Sequence, residues 1–206
     1  CLQMKLFFFL YVFFIGFSFS QTYDSFDNHF SKHEKKIANT ASEFSHLTKT
    51  EKEVFFYLNL ARINPKLFAK TFLINNKEKI DCTKDYNSLY KTLTKMDALE
   101  PLYFNHDFYL FAKCHAIQSG KKDYVGHERK RGSGCKPIIS SKSWGECCYY
   151  GEEDALAIVL DLLVDCNYRG LGHRKIMLSD EFKSMGVFIA PHKSYNFNAV
   201  LDFTSE

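Results

Sequence analysis

Residues 170–182, GLGHRKIMLSDEF, constrain this chain more than any other stretch, because they set a histidine between a glycine and an arginine directly after a strongly apolar segment. That segment, residues 152–166, carries Ala155, Ile158, Val159, Leu162 and Leu163 at spacings of three and four, which predicts a helix with one face in a core. Asp161 and Asp165 are four apart and share a face, and Asp165 lies near the end that hands the chain on to His173. A carboxylate is thereby brought toward an imidazole. Upstream, residues 124–127 (YVGH) end on His127, and residues 143–146 (SWGE) end on Glu146 at the head of a strand-like run. Two imidazoles and two carboxylates from separate stretches are what a fold for this chain has to place.

The elements around them are readable in order. Thr50 and Glu53 make a capping-box pattern ahead of Val54, Tyr57, Leu58 and Ala61, a helical stripe that ends before Asn64 and Pro65. Asn64 then caps a second short helix with Pro65 at its first position. Residues 85–96 read as a helix capped by Asp85. Asn105 caps another, with Phe108, Phe111, Ala112, His115 and Ile117 on one face and Gly120 as its stop. His115 faces inward and is expected as a hydrogen-bonded core residue. Residues 144–150 suit a strand, while 185–190 and 197–203 alternate and are expected to pair as an antiparallel hairpin. Helices before and around late strands give an α+β layered domain, without an internal repeat.

Residues 1–20 are expected to be a signal peptide. Cys1, Leu2 and Gln3 precede the expected start at Met4, the uncharged run 6–20 follows Lys5, and Ser18 and Ser20 suit a cleavage site after residue 20. The run is shorter than the roughly 18 to 20 residues a spanning helix needs, so no stable membrane span is expected once the leader is removed. Residues 21–47 are polar and expected as a loosely attached arm, with the packed domain at 48–206. Cysteine usage fits the same oxidising compartment. Cys82, Cys114, Cys135, Cys147, Cys148 and Cys166 form an even set of disulfide candidates, whose pairing the sequence leaves open. Adjacent Cys147 and Cys148 would reach different partners, because consecutive strand residues point to opposite faces. No CxxC pair points to a zinc-thiolate site. The formal charge of +3 is mild and no basic run is interleaved with aromatics, which argues against nucleic acid. Residues 128–131 (ERKR) are expected to be a solvated loop without function.

These signals together resemble the CAP superfamily, the domain of cysteine-rich secretory proteins, venom allergens and pathogenesis-related proteins, most closely its bacterial-type SCP-like members. The resemblance runs from about residue 47 to residue 203. It rests on residues 57–62 (YLNLAR) with Asn64 and Pro65, on 112–116 (AKCHA), on 124–127 (YVGH), on Gly145 and Glu146, on 172–174 (GHR), and on Gly186 and Val187 with the closing hairpin. It implies a three-layer α-β-α sandwich with a small antiparallel sheet and a cleft lined by His127, Glu146, Asp165 and His173. Arg174 and His115 support that cleft. Two departures stand out: Cys147 occupies the asparagine position of the family's Gly-Glu-Asn motif, and Asp165 stands where an acidic member usually has glutamate.

The resemblance implies His127 and His173, with Glu146, as ligands for zinc or another divalent metal. The competing reading is a hydrogen-bonded tetrad that ties helix, strand and loop together without metal. The family also implies a secreted, extracellular protein that binds a sterol, fatty acid or other lipid, or an extracellular protein, and is more a binding module than an enzyme. A metal-dependent peptidase or esterase using the same cleft is the alternative, though the chain lacks the Gly-x-Ser-x-Gly elbow and the HExxH helix. A purely structural role is a further one.

Overall fold

The structure, a computed structural model, describes residues 27–129, 135, 143–168 and 170–206. The expected leader lies outside the described residues. Among these residues, seven α-helices and four strands follow in order: α1 (Lys32–Ala38), α2 (Lys49–Ile63), α3 (Pro65–Phe68), α4 (Thr83–Lys95), β1 (Tyr103–Phe104), α5 (His106–Lys122), β2 (Trp144–Gly151), α6 (Ala155–Val164), α7 (Gly172–Met177), β3 (Ser184–Pro191) and β4 (Phe197–Thr204). Among the described residues, no helix is long and apolar enough to cross a membrane.

The strands form one sheet in the order β1-β3-β4-β2. The late hairpin pairs antiparallel as expected, with Val187 opposite Leu201, and β2 adds antiparallel to β4 with Glu146 opposite Asp202. The sheet is mixed rather than purely antiparallel, because the short β1 runs parallel to β3. Helix α5 covers one face of β3 and β4, while α2, α6 and α7 pack behind the other. These are the three layers of an α-β-α sandwich, and the fold is α+β. Strand alternation divides the side chains between them: Cys147 and Leu201 join the large core under α2 and α6, whereas Cys148 and Val200 join Ala112 and Ala116 of α5. β2 is an edge strand, so both helical layers can approach each other around it.

Several boundaries differ from the sequence expectation. The capping box of α2 is Thr48 with Glu51, two residues earlier than expected: Thr48 Oγ1 accepts from Glu51 N at 3.1 Å and Glu51 Oε2 accepts from Thr48 N at 2.9 Å. The other oxygen of Glu51 accepts from Ile189 N at 3.1 Å, so this cap also ties α2 to β3. Asn64 caps α3 as expected. Helix α4 begins at Thr83, with Asp85 inside its first turn and Cys82 at the cap. Gly120 lies within α5, which continues to Lys122 and ends at Asp123 in the left-handed region. Gly120 is needed because a Cβ there would collide with the carbonyl of Pro191, and at Gly186 one would collide with the backbone of Phe108 and Tyr109. Both glycines let α5 lie directly on the hairpin.

The arm expected to be loosely attached is packed from Phe30 onward. Phe30, Ala38, Ala41 and Leu47 are buried in the main core. The cause is Asn59 on α2, which is fully buried and donates through Nδ2 to the carbonyls of Ala38 at 3.0 Å and Leu102 at 3.1 Å, and accepts from Leu102 N at 2.7 Å. Three backbone groups from two separate stretches are thereby satisfied by one amide. Arg62, a turn further on, donates to the carbonyls of Glu100 (3.0 Å), Met177 (2.7 Å), Ser179 (2.8 Å) and Phe182 (3.3 Å). The polar members of residues 57–62 thus hold the fold together from inside.

Candidate functional site

Asp165 sits one residue past α6 rather than inside it, because α6 ends at Val164 and Asp165 adopts a left-handed conformation at φ 56°. Asp154 caps the other end by accepting from Ala157 N at 2.8 Å, which trims the expected helix there as well. In this position the Asp165 carboxylate folds over the start of α7. Oδ2 accepts from His173 N at 3.0 Å and Oδ1 faces His173 Nδ1 at 2.9 Å. The neighbouring Cys166 is joined to Cys82 at the head of α4, which fixes the turn from below. Arg174 is buried and donates to the carbonyls of Leu163 and Val164, both at 2.6 Å, and of Asp85 at 3.0 Å, and to Ser88 Oγ at 3.0 Å. A cation on the last carbonyls of α6 suits the negative end of that helix. Arg174 is therefore a support for Asp165 and His173.

The second imidazole and carboxylate come from the opposite layer. Glu146 is the third residue of β2 and is 6% exposed. His127 follows the end of α5, and its Nδ1 lies 3.0 Å from Glu146 Oε1. A carboxylate accepts and does not donate, so in both pairs Nδ1–H is the donor and Nε2 keeps its lone pair. The His127 and His173 ring centroids are 5.9 Å apart at 50°. The four expected residues converge around the free edge of β2, and His127, Asp165 and His173 face a cavity of about 330 Å³ walled also by Val125, Leu162 and the rings of Tyr150, Tyr168 and Tyr195.

Two residues here were not foreseen. Arg129, expected to be a solvated loop residue, has its side chain 11% exposed and donates through Nη2 to Glu146 Oε2 at 2.6 Å and to Asp202 Oδ2 at 3.3 Å. Asp202 is fully buried, facing Glu146 across β2 and β4. Burial and the adjacent Glu146 charge hold the Asp202 carboxyl well above the usual carboxylate range. For Glu146, burial acts upward, but the hydrogen bond from His127 and the charges of His115 and Arg129 outweigh it and keep the carboxyl below its ordinary value. The same bond to Glu146, against burial, raises His127. The signal for Asp202 was an acid inside the apolar run Val200, Leu201, Phe203, since a buried charge needs a partner. Nothing in residues 128–131 singled out Arg129.

His115 is fully buried as expected, with Nε2 3.0 Å from the Gly126 carbonyl. Of the disulfide candidates, Cys82 pairs with Cys166, and Cys114 on α5 pairs with Cys135. Cys147 and Cys148 do not pair; both are free and buried. Alternation does send them to opposite faces, but to a carbonyl on each side rather than a sulfur: the Cys147 thiol is 3.8 Å from His173 O, and the Cys148 thiol 3.8 Å from Gly126 O. Burial pushes both thiols far up, so neither is a ready nucleophile.

An α-β-α sandwich with imidazole–carboxylate pairs meeting at a sheet edge is the architecture of a CAP domain. A sequence model of the Cysteine-rich secretory protein family, CAP, matches residues 55–203, and the chain belongs to that family. No curated protein and no solved structure matches it.

The residues fit a divalent metal on chemical grounds. Both imidazoles have Nδ1 held by a carboxylate, which is how metal-binding histidines are commonly oriented, with Nε2 left to ligate. Among the described residues, His115, Glu146 and Cys148 also offer ligand atoms within 4.8 Å of one another.

Proposed function

We propose that this chain is a non-enzymatic extracellular binding module whose cleft takes a divalent cation, zinc foremost, on Nε2 of His127 and His173. Glu146 and Asp165 orient the two rings, and the cation supplies a Lewis-acidic point for an oxygen ligand in the cavity. The observation that carries this reading is the paired geometry: two imidazoles, each fixed by its own carboxylate, with ring centroids 5.9 Å apart. Two disulfides support secretion, since such bonds persist in oxidising compartments. The hydrolase reading is weaker because both oxygens of Glu146 are engaged by His127 and Arg129. A carboxylate held low in this way is a poor general base.

Calorimetry on metal-stripped protein tests the proposal. The parent chain should take up zinc, and the double variant His127→Ala, His173→Ala should lose one equivalent per chain. An unchanged stoichiometry in the double variant would leave the four residues as a purely structural tetrad.

A second reading, lipid binding, is supported by a different cavity. About 270 Å³ lies between the head of α4 and α6, walled by Ile80, Tyr149, Ala157, Leu160 and Val164 and by the Cys82–Cys166 disulfide. Ligand sites usually run from about 300 to 1,000 Å³. The space therefore suits one acyl chain of a fatty acid better than a whole sterol. A fluorescent fatty acid should bind, a fluorescent sterol should bind more weakly, and Leu160→Trp should displace the first by filling the space. If neither probe binds at micromolar concentration, recognition of an extracellular protein becomes the better account.

A further inference from the structure

We propose that His115, Glu146 and Cys148 form a second cation site on the α5 side of β2, taking a thiophilic divalent ion such as zinc through one nitrogen, one oxygen and one sulfur. The site shares Glu146 with the cleft, but its other two ligands are different and it does not depend on metal at His127 and His173.

Placement follows from the strand. Glu146 and Cys148 are two apart on β2 and share its α5 face, where α5 lays down His115. The three ligand atoms lie within 4.8 Å of one another, and the residues are 6%, 8% and 0% exposed in the order Glu146, Cys148, His115. A sulfur, a nitrogen and an oxygen is a donor set zinc accepts, with a fourth position left open.

His115 supplies the independent observation. Its Nε2 faces the Gly126 carbonyl at 3.0 Å, and a carbonyl only accepts, so Nε2 carries the proton and Nδ1 holds the lone pair. Nδ1 is buried and has no hydrogen-bond partner among the described residues. One ring nitrogen of His115 lies within 4.8 Å of the Cys148 sulfur and a Glu146 oxygen, and a buried acceptor left unpaired on the same ring costs roughly 1–3 kcal/mol, so a ligand that puts the ring's lone pair to use is favoured. Asp202 Oδ1, across the strand pair from Glu146, is likewise buried without a hydrogen-bond partner among the described residues.

The charges agree. Glu146 and Arg129 form an ion pair, and burial keeps the Cys148 thiol protonated without metal. On binding, the Cys148 S–H bond breaks, a sulfur–metal bond forms, and the proton leaves to solvent. No electron is transferred. The divalent charge is then offset by the new thiolate and by the Glu146 carboxylate, which Arg129 also contacts. Each carboxylate oxygen of Glu146 has two lone pairs, so one can serve His127 or Arg129 and a metal together. Cys148 and Gly126 also line the cleft cavity, which gives the ion a way in.

Cobalt(II) added alone to the metal-stripped full chain is the test, because a cobalt–thiolate bond gives an intense near-ultraviolet charge-transfer band that nitrogen and oxygen ligands do not. The band should appear with one thiolate per chain, vanish in Cys148→Ala, persist in Cys147→Ala, and persist in the His127→Ala, His173→Ala double variant. His115→Gln should weaken cobalt binding roughly 10–100-fold or more. Should Cys148→Ala fold poorly, Cys148→Ser, which keeps the size and polarity of the side chain, should fold and still lose the band. Cobalt bound without a thiolate band in the parent chain, or a band that survives in the folded Cys148→Ala or Cys148→Ser variant, overturns the site. Loss of zinc in the double variant with the band intact would instead separate the two sites, and retention of both zinc and band there would fault the cleft reading alone.

Discussion

Replacing Arg62 with methionine is expected to lower the unfolding free energy by roughly 3–5 kcal/mol, because it removes the donors for four carbonyls at once. Methionine roughly fills the same space, so the loss reports hydrogen bonds more than a cavity. Arg62 is 1% exposed and, among the described residues, no carboxylate forms an ion pair with it; burial brings its guanidinium down to about 10, opposed by the charge of Asp180, so it stays protonated at neutral pH. The cation is stabilised almost wholly by carbonyl dipoles of the segment around the end of α7. Lysine keeps the charge but has a point-like head where a planar fork is needed, and should recover only part of the loss. The denaturant midpoint should fall without a change in slope. A methionine variant within about 1 kcal/mol of the parent would mean that water or a shifted α7 replaces Arg62 without cost.

Asp165→Asn should leave the fold nearly intact yet weaken zinc binding in the cleft roughly 10–100-fold. One oxygen of the carboxylate accepts from His173 N at 3.0 Å and, at 3.4 Å, from Arg174 N, while the other faces His173 Nδ1 at 2.9 Å. An amide has one oxygen and one NH₂ for the same two positions. The backbone N–H has no alternative form, whereas the imidazole does: Nδ1 becomes the acceptor, the proton moves to Nε2, and the lone pair meant for metal is lost. Asparagine also tolerates the left-handed conformation at φ 56°, so backbone strain does not confuse the outcome. Calorimetry and a thermal melt together check it. Zinc affinity equal to the parent's would show that His173 is not a ligand.

How far the sequence reached can be seen element by element. The apolar periodicities of α2, α5 and α6 and the alternation of β3 and β4 were visible, since burial of one face repeats with the period of the element. Ends were less so. Thr48 and Thr50 are both followed three residues later by glutamate, and only packing against Ile189 selects Glu51 as the partner. Asp165 read as helical, but its bonds to His173 outcompete the last turn of α6, an interaction whose donor lies eight residues on. Residues 21–47 read as a loose arm because few of them are apolar; Phe30 and the carbonyl of Ala38 meet α2 only in the fold.

The sequence by itself determined the family, the α+β class and four residues that converge, because motif order and one-dimensional periodicity survive without coordinates. It also left an even cysteine count that wrongly invited three bridges. Tertiary structure decided the rest: that Cys82–Cys166 and Cys114–Cys135 form while Cys147 and Cys148 remain thiols, and that Arg129 and Asp202 complete the charge around Glu146. The physical reason is the same in each case. Disulfides and buried charges are satisfied by whichever group lies within a few ångströms, and in this fold those neighbours are brought together from stretches far apart in the chain.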